Sequence, residues 1–397
     1  MRNLKNLFLG AGITTMLLAS CGANQNAQTT VSGLHPADFD STINGKKTEL
    51  ITLKNNKGME VCLTNYGGRV VSISVPDKNN KPTDVVLGYD NIRQYADTLN
   101  SPSDFGASVG RYANRIKNAK LTIGGKTYKL RANDHGNCLH GGGNTGWANK
   151  IYDVKAQTDS SVVFALTSPD GANGFPGTVK ATATYTVKNN NTLDIVFQAT
   201  TDKETVVNMT NHSYFNLNGD PSKVGTNQVL YINADKFTPS DKYYIPTGEI
   251  KSVAGTPMDF RTPHAIQKTI VDTTYDQIRN ATGYDHNWCL NTFKNGKGND
   301  TKVAASLYSP QTGILLQVFT NEPGLQVYTG NFQGTGIACK HGIKYPKHVS
   351  VCLESQKYPD SPTKIMEKTK GWEFSNPYLK PGQKYYSHLA FKFSVKK

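Results

Sequence analysis

The chain has 397 residues, of which 37% are hydrophobic and 19% charged, and carries a formal charge of +14. That balance is the one expected of a soluble globular protein, with enough chain for one large domain or two ordinary ones. The basic residues are scattered, and no RNP, zinc-finger or helix-turn-helix pattern accompanies them. The charge therefore reads as solvation, and nucleic acid is excluded as a partner.

At the N-terminus, Arg2 and Lys5 precede an apolar stretch from Leu7 to Leu18. The stretch is too short for a comfortable membrane span and has the layout of a secretory signal. Leu18-Ala19-Ser20-Cys21 resembles the bacterial lipoprotein signal, whose cysteine is lipidated. This predicts a signal peptide over 1–20, a lipidated Cys21 with a flexible tether over 21–40, and one domain over 41–397. The protein would then be exported and held at a membrane by its N-terminal lipid alone, facing the periplasm. An ordinary cleaved signal with an incidental Cys is the alternative. Five further cysteines, Cys62, Cys138, Cys289, Cys339 and Cys352, cannot all pair within one chain. Most sit in apolar runs and read as small buried hydrophobes, with one disulfide left open.

From Thr48 onward strand signals recur, and helical ones are short, as at Asp90 to Tyr95. Leu121 to Ile123 and Lys126 to Leu130 flank Gly124-Gly125, the pattern of a hairpin with a two-residue turn. Val179 to Val187 alternates apolar and polar residues, and Leu193, Ile195, Phe197 and Ala199 do so again after three asparagines. Together they predict a hairpin with one buried face. Leu389, Phe391, Phe393 and Val395 predict a terminal strand. Thirty-six Gly, twenty Tyr and the lack of strand–helix alternation point to an all-β fold, a large antiparallel β-sandwich.

The chemistry-bearing residues fall where the alternation breaks. These segments are Gly110-Arg111-Tyr-Ala-Asn114-Arg115-Ile116, Asn137-Cys-Leu-His140-Gly141-Gly142 and Asn208-Met-Thr-Asn211-His212-Ser-Tyr214-Phe215. Further on come Gly283-Tyr284-Asp285-His286-Asn287-Trp288, Pro323-Gly-Leu-Gln326-Val-Tyr328 and Leu353-Glu354-Ser-Gln356. They offer a guanidinium fork (Arg111), a hydroxyl acceptor (Asp285) and an amide that both donates and accepts (Gln326). Tyr214, Phe215, Trp288 and Tyr328 could present ring faces to the C–H side of a sugar. His212 and Glu354 form a possible acid–base couple. The Gly141-Gly142-Gly143 run lacks the context of a phosphate loop and reads as backbone flexibility beside His140. His140, His212, Asp285 and Glu354 lie far apart in the chain, so only the fold can bring them together.

Taken in order, these motifs resemble the galactose mutarotase (aldose 1-epimerase) family over nearly all of residues 41–397. Thr64-Asn65-Tyr66-Gly67-Gly68 and Asn173-Gly174-Phe175-Pro176-Gly177 belong to the match, although Phe175 stands where the family often has Tyr. The resemblance implies a galactose mutarotase-like supersandwich that interconverts the anomers of free aldoses such as D-galactose and D-glucose. It implies His212 as general acid and Glu354 as general base. Arg111, His140, Asp285 and Gln326 would bind sugar hydroxyls, with Asn114 and Tyr214 beside them. It implies no cofactor and no metal. Three rivals stay open on residue chemistry alone. Asp285 and Glu354 could be the carboxylate pair of a glycoside hydrolase. A non-catalytic carbohydrate-binding protein would use the same polar and aromatic set. A metal enzyme could use His140, His212, His286 and Glu354, although no close ligand spacing supports it. The preferred sugar and the oligomeric state are not readable.

Overall fold

The computed structural model describes residues 29–396, so the signal peptide and Cys21 lie outside the described residues. The alternating runs around the three asparagines pair as one long hairpin, Val179–Lys188 with Thr192–Thr201, in continuous register from Lys188↔Thr192 to Val179↔Thr201. Ala181, Ala183, Tyr185 and Val187 enter the core beside Leu193, Ile195, Phe197 and Ala199, as a period of two requires. The terminal strand starts at Tyr385, ahead of the expected Leu389, and runs to Val395. It lies between Thr192–Thr201 and Ile314–Thr320, at the middle of a nine-stranded antiparallel sheet.

A six-stranded antiparallel sheet faces it, ordered Tyr214–Phe215, Val351–Gln356, Gly324–Tyr328, Asp285–Cys289, Lys236–Thr238 and Lys251–Ser252. Its register decides what each face carries. Glu354 pairs with Gln326 and Gln326 with Asn287, while Cys352 pairs with Tyr328 and Tyr328 with Asp285. Cross-strand partners share a face, so Asp285, Asn287, Gln326, Tyr328 and Glu354 all project to one side. Trp288, Leu325, Val327, Leu353, Val351 and Phe215 project to the other and join the nine-stranded sheet's apolar face in one core. Phe215 meets Phe391 across the sandwich, ring centroids 4.9 Å apart. Burying one such side chain stabilises by roughly 1.5–3 kcal/mol, which holds the polar face of the sheet in one orientation. A four-stranded sheet, Leu50–Lys54, Glu60–Thr64, Arg69–Pro76 and Pro82–Asp84, completes the fold.

The Gly124-Gly125 hairpin forms as expected, with both glycines left-handed at φ 56° and 79°, the geometry of a two-residue primed turn. The short helix spans Ile92–Ala96, and the Asn91 side chain caps it by accepting from the Gln94 N–H at 3.0 Å. The expected tether does not stay free to Asp40. Leu34 and Phe39 are buried, Pro36–Phe39 forms a single 3-10 turn, and the Val31 N–H donates to Glu60 at 2.7 Å. Two apolar residues in a polar stretch are enough to dock it. All five cysteines among the described residues are free, and Cys289 alone of them is not fully buried.

Candidate active site

A cavity of about 390 Å³ opens on the polar face of the six-stranded sheet, toward the lower end of the ~300–1,000 Å³ usual for small-molecule sites. His140, His212, Tyr214, Asp285, Tyr328, Glu354 and Asn114 line it, together with Asp104, Arg115 and Asp134. The fold thus gathers most of the residues expected from the sequence on one wall.

His212 ends the strand Thr210–His212, which pairs with Ala107–Val109 rather than with the six-stranded sheet. Its Nε2 lies 3.5 Å from Oε1 of Glu354. The His212 ring stacks on Tyr214 at 4.9 Å and 18°, and meets His140 edge-on at 5.3 Å. Tyr214 and Tyr328 continue the aromatic wall, which ends at the exposed rim residue Phe332, stacked on Tyr328. Phe215 and Trp288 take no part. Phe215 follows the wall residue Tyr214 but points to the core, as Trp288 does, and both are fully buried there.

His140 is held by a close backbone approach rather than by flexibility. The residue is left-handed at φ 50°, and a Cβ on the following Gly141 would collide with the Gly110 carbonyl. The Asn114 N–H donates to His140 Nδ1 at 3.1 Å. In the neutral ring Nε2 then carries the proton and is a donor. His140, His212 and Glu354 could each offer a metal-ligand atom, all within 4.8 Å of one another. A cation on His140 Nε2 would need a proton on Nδ1, against the Asn114 N–H, so the geometry suits hydroxyl recognition better. His286, the fourth candidate ligand, lies on the opposite, core face of its strand.

The arginine expected at the site is the wrong one. Arg111 is buried, and its guanidinium donates to the carbonyls of Pro176 at 2.8 Å and Gly177 at 2.9 Å and to Ser168 Oγ at 2.8 Å. It clamps loops together and does not reach the cavity. Arg115 does: its Nε donates to Asp134 at 2.7 Å, Nη1 stands 4.0 Å from Asp285, and Tyr244 lies under the guanidinium at 4.6 Å. Asn114 is left-handed at φ 65°, which breaks strand alternation between the two arginines. Gln326 is not on the cavity wall. Its Nε2 donates to Asp285 Oδ1 at 2.6 Å and so fixes that carboxylate.

The electrostatics follow from burial. Desolvation and the nearby His140 push His212 down to about 3. Desolvation, with Asp285 and Asp104 nearby, raises Glu354 well above the usual carboxylate range, while Arg115 pulls it back. Burial also raises Asp285 against the pull of Arg115 and Gln326. Burial acts to raise Asp104 too, but His140, His212 and Arg69 outweigh it and hold that carboxyl low. Asp104 and Asp134 sit on loops without periodic pattern, and no sequence signal marked them. Arg115 was visible in its motif beside Arg111.

These side chains share one cavity. They make a small polar cavity with an imidazole and a carboxyl side by side, a donor ring, a guanidinium and an aromatic wall, on a large antiparallel sandwich. Such a site defines a carbohydrate-handling protein with acid–base capability. The chain belongs to the aldose 1-epimerase family, whose model matches residues 49–392. It is 38% identical to aldose 1-epimerase of Escherichia coli (strain K12), covering 88% of this chain and 96% of that one. It is 37% identical to galactose mutarotase of Bos taurus, covering 85% and 92%. Among solved structures, a GalM/aldose epimerase homologue from C. elegans superposes with a TM-score of 0.78 at 28% identity, covering 88% of this chain and all of that one. Galactose 1-epimerase from Lactobacillus acidophilus gives 0.75 at 28%, covering 90% and 97%.

Proposed function

We propose that His212 and Glu354 are the acid–base pair of this aldose 1-epimerase, acting on free hexoses such as D-galactose and D-glucose. The observation that carries the assignment is their side-by-side placement, 3.5 Å apart, on the wall of one sugar-scale cavity. Both reacting oxygens of an aldose, the C1 hydroxyl and the ring oxygen, are bonded to the same carbon, so two adjacent groups can serve both.

Glu354 takes the proton of the C1 hydroxyl. His212 delivers a proton to the ring oxygen as the C1–O5 bond breaks. The open-chain aldehyde rotates about C1–C2, and the two transfers reverse as the ring closes on its other face. No electrons and no group leave the sugar. Each positioned group of this kind typically contributes about 10²- to 10⁴-fold.

Burial favours the neutral pair, a protonated Glu354 beside a neutral His212. That is the protonation state which ring opening leaves behind. The ion pair that starts the reaction holds the same number of protons, so one proton moving between the groups connects them. Arg115 favours the ionised Glu354 and stands close enough to Asp285 to bind hydroxyls with it. His140 donates from Nε2, and Asn114 and Asp285 orient the ring away from C1. Polarimetry of freshly dissolved α-anomers across a panel of aldoses tests the reading. Acceleration for galactose or glucose supports it, and binding without acceleration defeats it.

Export as a lipoprotein through Cys21 is part of the same proposal. The signal-like residues 1–21 support it, and no described helix is long and apolar enough to cross a membrane. Labelling with a radioactive fatty acid, present in the natural chain and absent from Cys21→Ser, is the expected result.

A further inference from the structure

The strand that carries Glu354 ends at Gln356, and a few residues later the chain turns at Asp360 into the short helix Ser361–Met366. Asp360 is fully buried and left-handed at φ 59°, a conformation that Asp and Asn tolerate better than most side chains. Its backbone N–H donates to the Arg115 carbonyl at 2.8 Å. Its Oδ1 accepts from the Lys117 N–H at 2.9 Å and from the Thr363 hydroxyl at 2.6 Å. One residue thus grips the backbone on both sides of Ile116. Its Oδ2 has no hydrogen-bond partner among the described residues. A half-partnered buried carboxylate costs stability, which points away from a purely stabilising role.

Arg115 needs such a grip. Its strand, Arg115–Ile116, is two residues long and pairs with Cys138–Leu139 in a sheet of two strands. A ladder of that size does not hold itself in place. Yet the guanidinium has to stand beside Asp134 and Asp285 on the cavity wall, and a misplacement of about 1 Å can cost about 10²-fold in rate. Resting on the place of Arg115 in the proposed mutarotase site, we infer that Asp360 is a positioning residue for the reaction. It ties the Arg115 backbone to the segment that follows the Glu354 strand, and so fixes the guanidinium relative to the catalytic carboxyl.

The test is a double-mutant cycle with Arg115→Met, read as kcat/KM for anomer exchange of galactose. Asp360→Gly keeps the left-handed backbone, which glycine adopts freely, and removes the acceptor for Lys117. It is expected to lower kcat/KM about 10- to 10²-fold, and to change it less than about twofold in the Arg115→Met background. Asp360→Asn keeps an Oδ1 acceptor and replaces the oxygen that has no partner, so it is expected to stay within about threefold of the natural rate. Thr363→Val, at a half-buried position, removes a single hydroxyl donor and serves where Asp360→Gly does not fold. Its expected loss is about threefold, again absent in the Arg115→Met background. A cost of equal size in both backgrounds is what a merely structural role gives, and it overturns the inference. So does a natural rate in folded Asp360→Gly, or a loss in Asp360→Asn as deep as that in Asp360→Gly. Near-natural turnover in Arg115→Met itself defeats the place of Arg115 in the site and takes the inference with it, a result that the single variant alone distinguishes.

Discussion

Nε2 of His212 and Oε1 of Glu354 stand 3.5 Å apart, yet the two side chains are held by different sheets. His212 is placed by pairing with Ala107–Val109, and Glu354 by pairing with Gly324–Tyr328. Two rigid ladders therefore fix one gap. Neither group can drift toward the other without disturbing backbone hydrogen bonds, so the gap stays available for the two oxygens on a sugar's C1.

The pH dependence of turnover follows from the proton count. The pair works with one proton. A second proton enters only as His212 titrates, and burial depresses that step to about 3. The last proton leaves as Glu354 titrates, and burial raises that step. The expected kcat/KM profile has an acid limb well below the ordinary imidazole value of about 6.5 and an alkaline limb above the ordinary carboxylate value of about 4.3. Asp104 is a negative neighbour of both groups, so Asp104→Asn should move both limbs to lower pH. Initial rates between pH 3 and 10 check this, and an acid limb near an ordinary imidazole value would count against it.

The two arginines of one motif should fail in different ways. Arg115→Met removes the guanidinium beside Asp134 and Asp285. It is expected to reduce kcat/KM by about 10²-fold or more with little change in melting temperature. Arg111→Met leaves the buried carbonyls of Pro176 and Gly177 without their donor. It is expected to cost at least about 2 kcal/mol of stability and to retain kcat in the protein that stays folded. Thermal melts and kinetics on the two variants separate these outcomes.

A histidine outside the site should govern stability above neutral pH. His388 lies between Asp300, 2.6 Å from Nδ1, and Asp194, 3.1 Å from Nε2, and hydrogen bonding to Asp194 is the main reason that its pKa is raised. A raised folded-state pKa stabilises fully below the unfolded value of about 6.5, and that contribution is lost as pH rises through the folded value. The melting temperature of the natural chain should therefore fall more steeply between pH 6 and 9 than that of His388→Gln. Parallel slopes would show that the ion pairs contribute nothing.

Much of the sandwich was legible because the nine-stranded sheet buries one face, and Val179 to Val187 alternates accordingly. The six-stranded sheet buries both faces, so Val351–Gln356 and Asp285–Cys289 carry no clean alternation and surfaced only as motifs. Those motifs contain His212, Glu354, His140 and Asp285, which line one cavity. Adjacent residues in a strand oppose each other, so Tyr214 and Phe215 cannot both face a sugar. Arg111 and Arg115 could not be told apart, because the left-handed Asn114 between them resets the faces. Asp104 and Asp134 reach the cavity on irregular loops, which leave no periodic trace.

The most direct test of the central claim is anomer exchange at equilibrium, followed by NMR on the C1 protons of galactose, for His212→Asn, Glu354→Gln and the double variant. Groups that act as one unit are not additive. Each single variant should lose about 10²- to 10⁴-fold in exchange rate, still bind the sugar, and be made little worse by combining the two. Near-natural exchange in either folded single variant would contradict the assignment of the pair.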